Sequence, residues 1–347
     1  MTSTASTTPH RAARPAYLMT LLFLLALASL ALAIFLGVVD LNPSDTLAAL
    51  TGHGSPEARA IILDIRLPRI LTGMLAGIHF ALAGLLLQSI TRNPLADPSL
   101  MGVSQGAMLA VSGFLVFTVY SHDTGSTTLQ ELPVHWLPLI GTLGGLAAGG
   151  FIYLIAFRRD LGPLRITLCG IAVGAVLHAI GIGLMAGWGS GRLEVLLEWF
   201  SGSLYARGWQ HALFLLPFTA AGLAVLPIIR RPMELLRFDA TVARSFGLSY
   251  RAQFSVVLLV ACALAASAVG VVGPVVFVGL IVPHMARFLA GRQTRIVLPL
   301  TVALGAIAMT LADLAGRLAG GAEEIPIGVV TAICGVPLLV ALLRKTP

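Results

Sequence analysis

Lysine is almost missing. Of 22 basic residues among 347, Lys345 is the one lysine and the rest are arginine. A phosphate-cradling P-loop needs G-x-x-x-x-G-K-[ST], so the chain has no ATP-binding loop of its own. Any ATP-driven step must be supplied by another polypeptide. Charge of either sign is also scarce: 11% of residues are Asp, Glu, Lys or Arg, against about 25% in globular chains. That leaves too little polar surface to coat a soluble protein of this length. Cys169, Cys262 and Cys334 lie far apart in apolar runs, without a C-x-x-C pair, which argues against a disulfide framework and a zinc site. A membrane enzyme would need a convergent set of His, Asp, Glu or Cys, and none is visible. The arginines form no single stripe and are not interleaved with stacking aromatics, so nucleic acid is not the implied partner.

What fills the chain instead is apolar sequence. Hydrophobic residues make up 57% of it, and the mean hydropathy is +0.93. A spanning helix needs roughly 20 apolar residues. About ten such runs can be marked, over 16–39, 68–90, 100–120, 136–157, 165–187, 209–229, 251–270, 274–290, 296–316 and 325–343. Transmembrane strands would need alternating segments of about 10 residues, and none occur. The fold expected is therefore an all-α polytopic membrane protein of about ten transmembrane helices. The first run is too long for a signal core of about 7–15 residues and reads as an uncleaved helix. Residues 1–15 are expected to be a disordered tail, and 16–347 a single transmembrane domain.

Arginine placement sets the orientation. With the N-terminus inside, roughly 16 basic residues fall in inner segments and 6 in outer ones, a strong positive-inside bias. Both termini are then cytoplasmic. His284 and Arg287 fall at the inner end of the eighth run, where Arg287 can snorkel to the headgroups and His284 reads as structural. His79 and His178 lie within runs and read as hydrogen-bonded packing residues. Asp313 sits four residues before Arg317, so the two can pair on one helix face. Pro94 and Pro98 bias Asn93 and Asp97 away from helix, predicting a non-helical inner turn, and Gly102, Ser104 and Gly106 allow close packing beyond it. Residues 189–209 read as a short amphipathic helix at the outer face. Residues 233–251 form the longest inner loop and read as a short helix ending near Gly247.

Five stretches in order resemble one family: "RLPRIL" (66–71), "GLLLQSITRNPLADPSLMGVSQGA" (84–107), "FVGLIVPHMARFLAG" (277–291), "LADLAGR" (311–317) and "EIPIGVVTAICGVPLLVALLR" (324–344). The sequence resembles the FecCD-type permease subunits of bacterial ABC importers for ferric siderophores, haem and cobalamin. That resemblance implies the type II ABC importer fold in the bacterial inner membrane. It implies a second permease subunit, identical to this chain or a different one, two ATPase subunits carrying ATP and Mg, and an external substrate-binding protein. No cofactor is expected on this chain. It also assigns sites. The inner loop, with Arg237, Asp239, Ala240, Ala243, Arg244 and Gly247, would be the coupling helix that enters an ATPase cleft. Arg66, Arg69 and Arg317 would face acidic residues of the binding protein, although they could instead only anchor helix ends at the headgroups, or Arg317 serve Asp313. The turn before the fifth helix would help close the inner gate. Relatives often carry small hydroxyl residues there; here Gly162, Pro163 and Leu164 suit an apolar gate that closes by dewetting. An ion-coupled secondary transporter is the alternative class. It would need ionisable groups at mid-membrane, and Asp313 near an outer end is poor support for it.

Overall fold

In the computed structural model, residues 10–120, 134–157, 162–186, 199–291, 293–321 and 324–345 are described. Among them there is no strand. The helices are α1 (His10–Phe35), α2 (Pro43–Leu50), α3 (Pro56–Thr91), α4 (Val103–Tyr120), α5 (Leu137–Phe157), α6 (Pro163–Ala186), α7 (Trp209–Leu235), α8 (Ala240–Ser245), α9 (Tyr250–Val272), α10 (Val278–Ala290), α11 (Thr294–Gly320) and α12 (Ile327–Lys345). Seven helices are long and apolar enough to cross a membrane, and three shorter apolar ones, in α4, α10 and α12, complete the ten expected runs. The short α2 and α8 mark opposite ends of the bundle.

Several boundaries differ from expectation: α3 begins at Pro56 where a start at 68 was expected, and α7 runs on to Leu235 past the expected 229. α1 begins at His10, inside the stretch expected to be tail, while residues 1–9 lie outside the described residues. α10 begins at Val278, four residues later than the run expected from 274, because Gly273–Phe277 are not helical. Gly273 has φ 76° and Phe277 φ 69°. Irregular backbone at membrane depth survives only where protein satisfies it. Here Val272 accepts a hydrogen bond from the Ser203 N–H at 2.9 Å, which ties the segment to the stretch before α7. Of the amphipathic helix expected over 189–209, residues 189–198 lie outside the described residues, and 201–208 are turn or irregular.

α3 is the hub. It starts as an α-helical turn capped by Ser55, whose Oγ accepts from the Ala58 N–H. It passes through a π-helical segment at Ala60–Arg66 and continues as α-helix from Leu67. In its most apolar stretch 78% of the residues are buried, against 17% in α1 and 22% in α6. It packs on α7, α9, α10 and α11. Two of these contacts bring backbone to backbone. A Cβ at Gly84 would stand 1.8 Å from the Gly279 carbonyl oxygen on α10, and one at Gly77 would stand 2.2 Å from that of Gly305 on α11. Lipid tails are as apolar as leucine, so helices in a bilayer associate through close packing and hydrogen bonds more than through burial from water. His79 supplies the hydrogen bonds. Its imidazole, 0% exposed, lies 3.0 Å from Ser267 Oγ on α9 and 2.7 Å from Thr219 Oγ1 on α7. The packing role read for His79 is what the geometry shows. His178 is exposed on α6.

The turn after α3 follows its prolines. Asn93 Oδ1 accepts from the Leu95 N–H, and Asp97 Oδ1 from the Ser99 N–H, before a 3-10 turn at Pro98–Met101 leads into α4. Gly106 meets Gly144 of α5 at the close approach expected of it.

Gly84→Ala should cost on the order of 3 kcal/mol, the upper end of overpacking penalties, because its new methyl meets backbone. Gly113→Ala, with nothing within 4 Å of the new Cβ, should leave stability unchanged or slightly raised. Thermal unfolding of the two variants in detergent checks the contrast.

Candidate functional site

The ionisable residues gather at the two ends of the bundle. At the α2 end, Arg69 of α3 donates from Nε and Nη2 to Asp313 Oδ1 of α11 at 2.9 and 2.7 Å. Its Nη1 reaches Glu324 Oε1 at 2.9 Å, and Nη2 lies 2.9 Å from Glu324 Oε2. Arg317 donates from Nε to Asp313 Oδ2 at 3.0 Å. One carboxylate thus holds two guanidinium groups, one along its own helix and one across to α3. Side-chain exposure is 11% for Arg69, 5% for Asp313 and 5% for Arg317. The helical spacing of Asp313 and Arg317 announced their pair; nothing local announced Arg69 or Glu324.

Arg66 lies at the same end and is 5% exposed. It donates to the carbonyls of Ile34 at 2.8 Å, of Phe35 at 3.4 Å, and of Val39. The last carbonyls of a helix lack intrahelical donors, and a cation there also meets the negative end of the helix dipole. Arg66 is therefore the C-terminal cap of α1. All three arginines assigned to binding-protein docking have their guanidinium groups taken up inside the chain. The reading in which Arg317 serves Asp313 describes its geometry, whereas Arg66 and Arg69 bond within the chain and do not reach out as headgroup anchors.

At the other end lies α8. Asp239 occupies its N-cap position. Gly247, φ 79°, ends it: the Gly247 N–H bonds the Arg244 carbonyl at 2.8 Å and the Leu248 N–H the Ala243 carbonyl at 3.1 Å. Glycine suits this left-handed closing position because it has no Cβ to clash. The expected short helix thus exists and ends where expected. Its orientation differs from the expected site in one respect. Ala243 is 0% exposed and faces the bundle, so it cannot touch a partner. Asp239, Arg244 and Gly247 are exposed, and Arg237 and Ala240 half-buried. The exposed apolar residues are instead Phe238 just before α8, Val242 on it and Phe246 directly after it, 53%, 41% and 59% exposed. Their i, i+4, i+8 spacing is the signal that could have found them.

Arg92 stands beside α8. It ends α3 in the left-handed conformation, φ 53° and ψ 26°. Its Nε donates to the Leu236 carbonyl at 3.2 Å, Nη1 to Asp239 Oδ1 at 2.5 Å and Nη2 to Tyr250 Oη at 3.2 Å. One turn earlier, Gln88 Nε2 lies 3.2 Å from the Ala96 carbonyl, 3.2 Å from that of Gly279 and 3.3 Å from that of Leu280. Gln88 Oε1 accepts from Arg287 of α10. Arg287, expected at headgroup level, is thus also a bond between α10 and α3. His284 is 8% exposed on the same helix.

Of the residues assigned to the inner gate, Gly162 precedes α6, and Pro163 opens it with its carbonyl accepting from Thr167 Oγ1 at 2.9 Å. Leu164 is 72% exposed on the single chain. Residues 158–161 lie outside the described residues. Among the described residues no three His, Cys, Asp or Glu side chains gather as metal ligands.

Asp313→Asn should cost about 3–5 kcal/mol, the usual penalty for removing one partner of a buried pair, because it weakens the anchor of two guanidinium groups. Glu324→Gln, at a more exposed carboxylate, should cost less than about 1 kcal/mol. Thermal midpoints in detergent check both.

Comparison with known proteins agrees with this architecture. The sequence model of the FecCD transport family matches residues 23–345. The Iron(3+)-hydroxamate import system permease protein FhuG of Bacillus subtilis (strain 168) is 30% identical over 332 residues, 96% of this chain and 98% of its own. The Ferric enterobactin transport system permease protein FepD of Escherichia coli (strain K12) is 35% identical over 328 residues, 93% of this chain and 94% of its own. A chain from a metal-chelate type ABC transporter, solved in an inward-facing conformation, superposes with a TM-score of 0.81 at 26% identity, covering 95% of this chain and 99% of that one. With a family match over residues 23–345, the chain belongs to the FecCD transport family, as a permease subunit of an ABC importer.

Proposed function

We propose that this permease carries a ferric siderophore across the bacterial inner membrane, as one of two identical copies seated on two ATPase subunits, with both chain termini and α8 on the cytoplasmic side. The observation that carries the coupling half of this reading is α8. A short helix stands at the arginine-rich end of the bundle, and it and its flanks leave Phe238, Val242 and Phe246 exposed. Exposed aromatic and aliphatic residues at the centre of a patch are what a partner's cleft buries. The arginine count favours placing that end inside. The ATPase supplies ATP and Mg, and the permease supplies a helix packing that both partners bias.

Names of relatives support the cargo. Two of them are named for ferric chelates, a hydroxamate and enterobactin. Haem and cobalamin remain the competing cargoes that the family resemblance implies. The binding protein is assigned to the α2 end. Arg66, Arg69 and Arg317 support that surface from within by holding the ends of α1, α3 and α11. Replacing them with glutamate should therefore lower permease stability together with docking. The apolar face of α6 around Leu164, Leu168 and Ile171 is assigned to the path and its inner gate between the two copies. A secondary transporter needs a carboxylate free to take up and release an ion. Asp313, buried in α11, is bound by two arginines.

Phe246→Glu and Val242→Glu should each weaken ATPase binding by about tenfold, the equivalent of roughly 1.4 kcal/mol, while the permease inserts normally. Copurification of the ATPase from membranes measures this, and normal recovery with both variants would remove α8 as the docking element. Vesicles holding the whole complex, with ATP on the ATPase side, should accumulate iron from a ferric hydroxamate and not haemin or cyanocobalamin. Uptake should persist with a proton uncoupler. Accumulation of haemin or cyanocobalamin instead would overturn the cargo assignment.

A further inference from the structure

We propose that Arg92 is a positioning residue that makes α8 move as one body with the end of α3 and, through it, with α10; this rests on the reading of α8 as the ATPase-docking helix. Three observations carry it.

The first is the backbone. Arg92 holds φ 53° at the end of α3, a conformation that glycine or asparagine adopts far more readily. An arginine in that place trades backbone comfort for its side chain, and strain of this kind gathers where a side chain has a task.

The second is what the side chain reaches. The three guanidinium nitrogens of Arg92 contact the Leu236 carbonyl where α7 ends, Asp239 where α8 begins and Tyr250 where α9 begins. An N-cap aspartate ordinarily accepts from the backbone N–H groups of its own helix. Asp239 makes no such bond and is turned to Arg92 instead, although its side chain is 78% exposed. The planar fork of arginine can satisfy three separate acceptors at fixed angles, which a lysine ammonium cannot reproduce. One side chain thus gathers both ends of the loop that carries α8 and fastens them to α3.

The third is the neighbouring turn. Gln88 lies four residues before Arg92 and bonds the first turn of α10 and the Ala96 carbonyl. It also accepts from Arg287. Between the two, the last turn of α3 is held to α8 on one side and to α10 on the other. About two turns earlier, Gly84 meets Gly279 without room for a Cβ, so α10 cannot slide past α3 unnoticed. Displacement of α8 by an ATPase is passed on and not absorbed in a slack loop.

The test uses the full complex in vesicles, with radioiron-labelled ferric hydroxamate as probe. Arg92→Gly relieves the backbone and removes the guanidinium; Arg92→Asn tolerates the same backbone without the reach. Both should copurify with the ATPase and hydrolyse ATP at the basal wild-type rate. Iron moved per ATP hydrolysed should fall by about tenfold, within the usual range of coupling between sites. Arg92→Lys should fall between them and the wild type. Hydrogen exchange gives a readout independent of cargo. ATP binding should change amide exchange in α8 and α10 together in the wild type, and in α8 alone in Arg92→Gly. Wild-type iron-to-ATP ratios in Arg92→Gly and Arg92→Asn, or an unchanged α10 response, would overturn the inference. So would loss of the ATPase from both variants, since Arg92 would then only hold α8 folded. Failure of the docking reading is a separate result, seen as normal ATPase recovery with Phe246→Glu.

Discussion

How closely other helices can approach α3 governs everything else in this chain. Water supplies no force to drive two apolar helices together inside a bilayer, so packing must come from short contacts. α3 obtains them at Gly84 against Gly279 and at Gly77 against Gly305, where no side chain separates the backbones. His79 then adds hydrogen bonds to α9 and α7 in the same buried layer. With α3 set against four helices, α1 and α6 are left at the periphery, with few of their residues buried.

The second constraint is what to do with charge in so apolar a chain. The answer is arginine, used as a multi-pronged donor. Arg66 takes three carbonyls at and beyond the end of α1. Arg69 takes Asp313 and Glu324. Arg92 takes a carbonyl, a carboxylate and a phenol. A buried polar group without a partner is costly, and each of these side chains meets that cost by satisfying several acceptors at once. Lysine is a compact point charge that shifts its protonation readily when buried. Its near-absence from the chain is consistent with this use of arginine, quite apart from the missing P-loop.

The same residues show where sequence reasoning stops. Asp313 and Arg317 are four apart on one helix, so their pairing could be read directly. Arg69 joins them from 244 positions away, and only the neighbour relation between α3 and α11 brings it there. Gly247 announced the end of α8, because a helix stop is a local property of backbone conformation. Which side of α8 faces the bundle was not local. Ala243 was assigned to a partner and is buried, while Phe238, Val242 and Phe246 were passed over and are exposed.

Hydrophobicity and run length determined by themselves that this chain is an all-helical membrane protein with several spanning helices. Those quantities depend on composition over about 20 residues, the thickness of a bilayer, and need no knowledge of neighbours. The ordered motifs determined the family for the same reason, as linear patterns. The tertiary structure decided that Arg66, Arg69 and Arg317 hold the fold, that α10 begins only at Val278, and that Arg92 ties α8 to α3. The bonds of Arg66, Arg69 and Arg92 are contacts between segments distant in sequence. Contacts of that kind are set by which glycines let two helices meet and by which acceptors then lie within reach of a guanidinium.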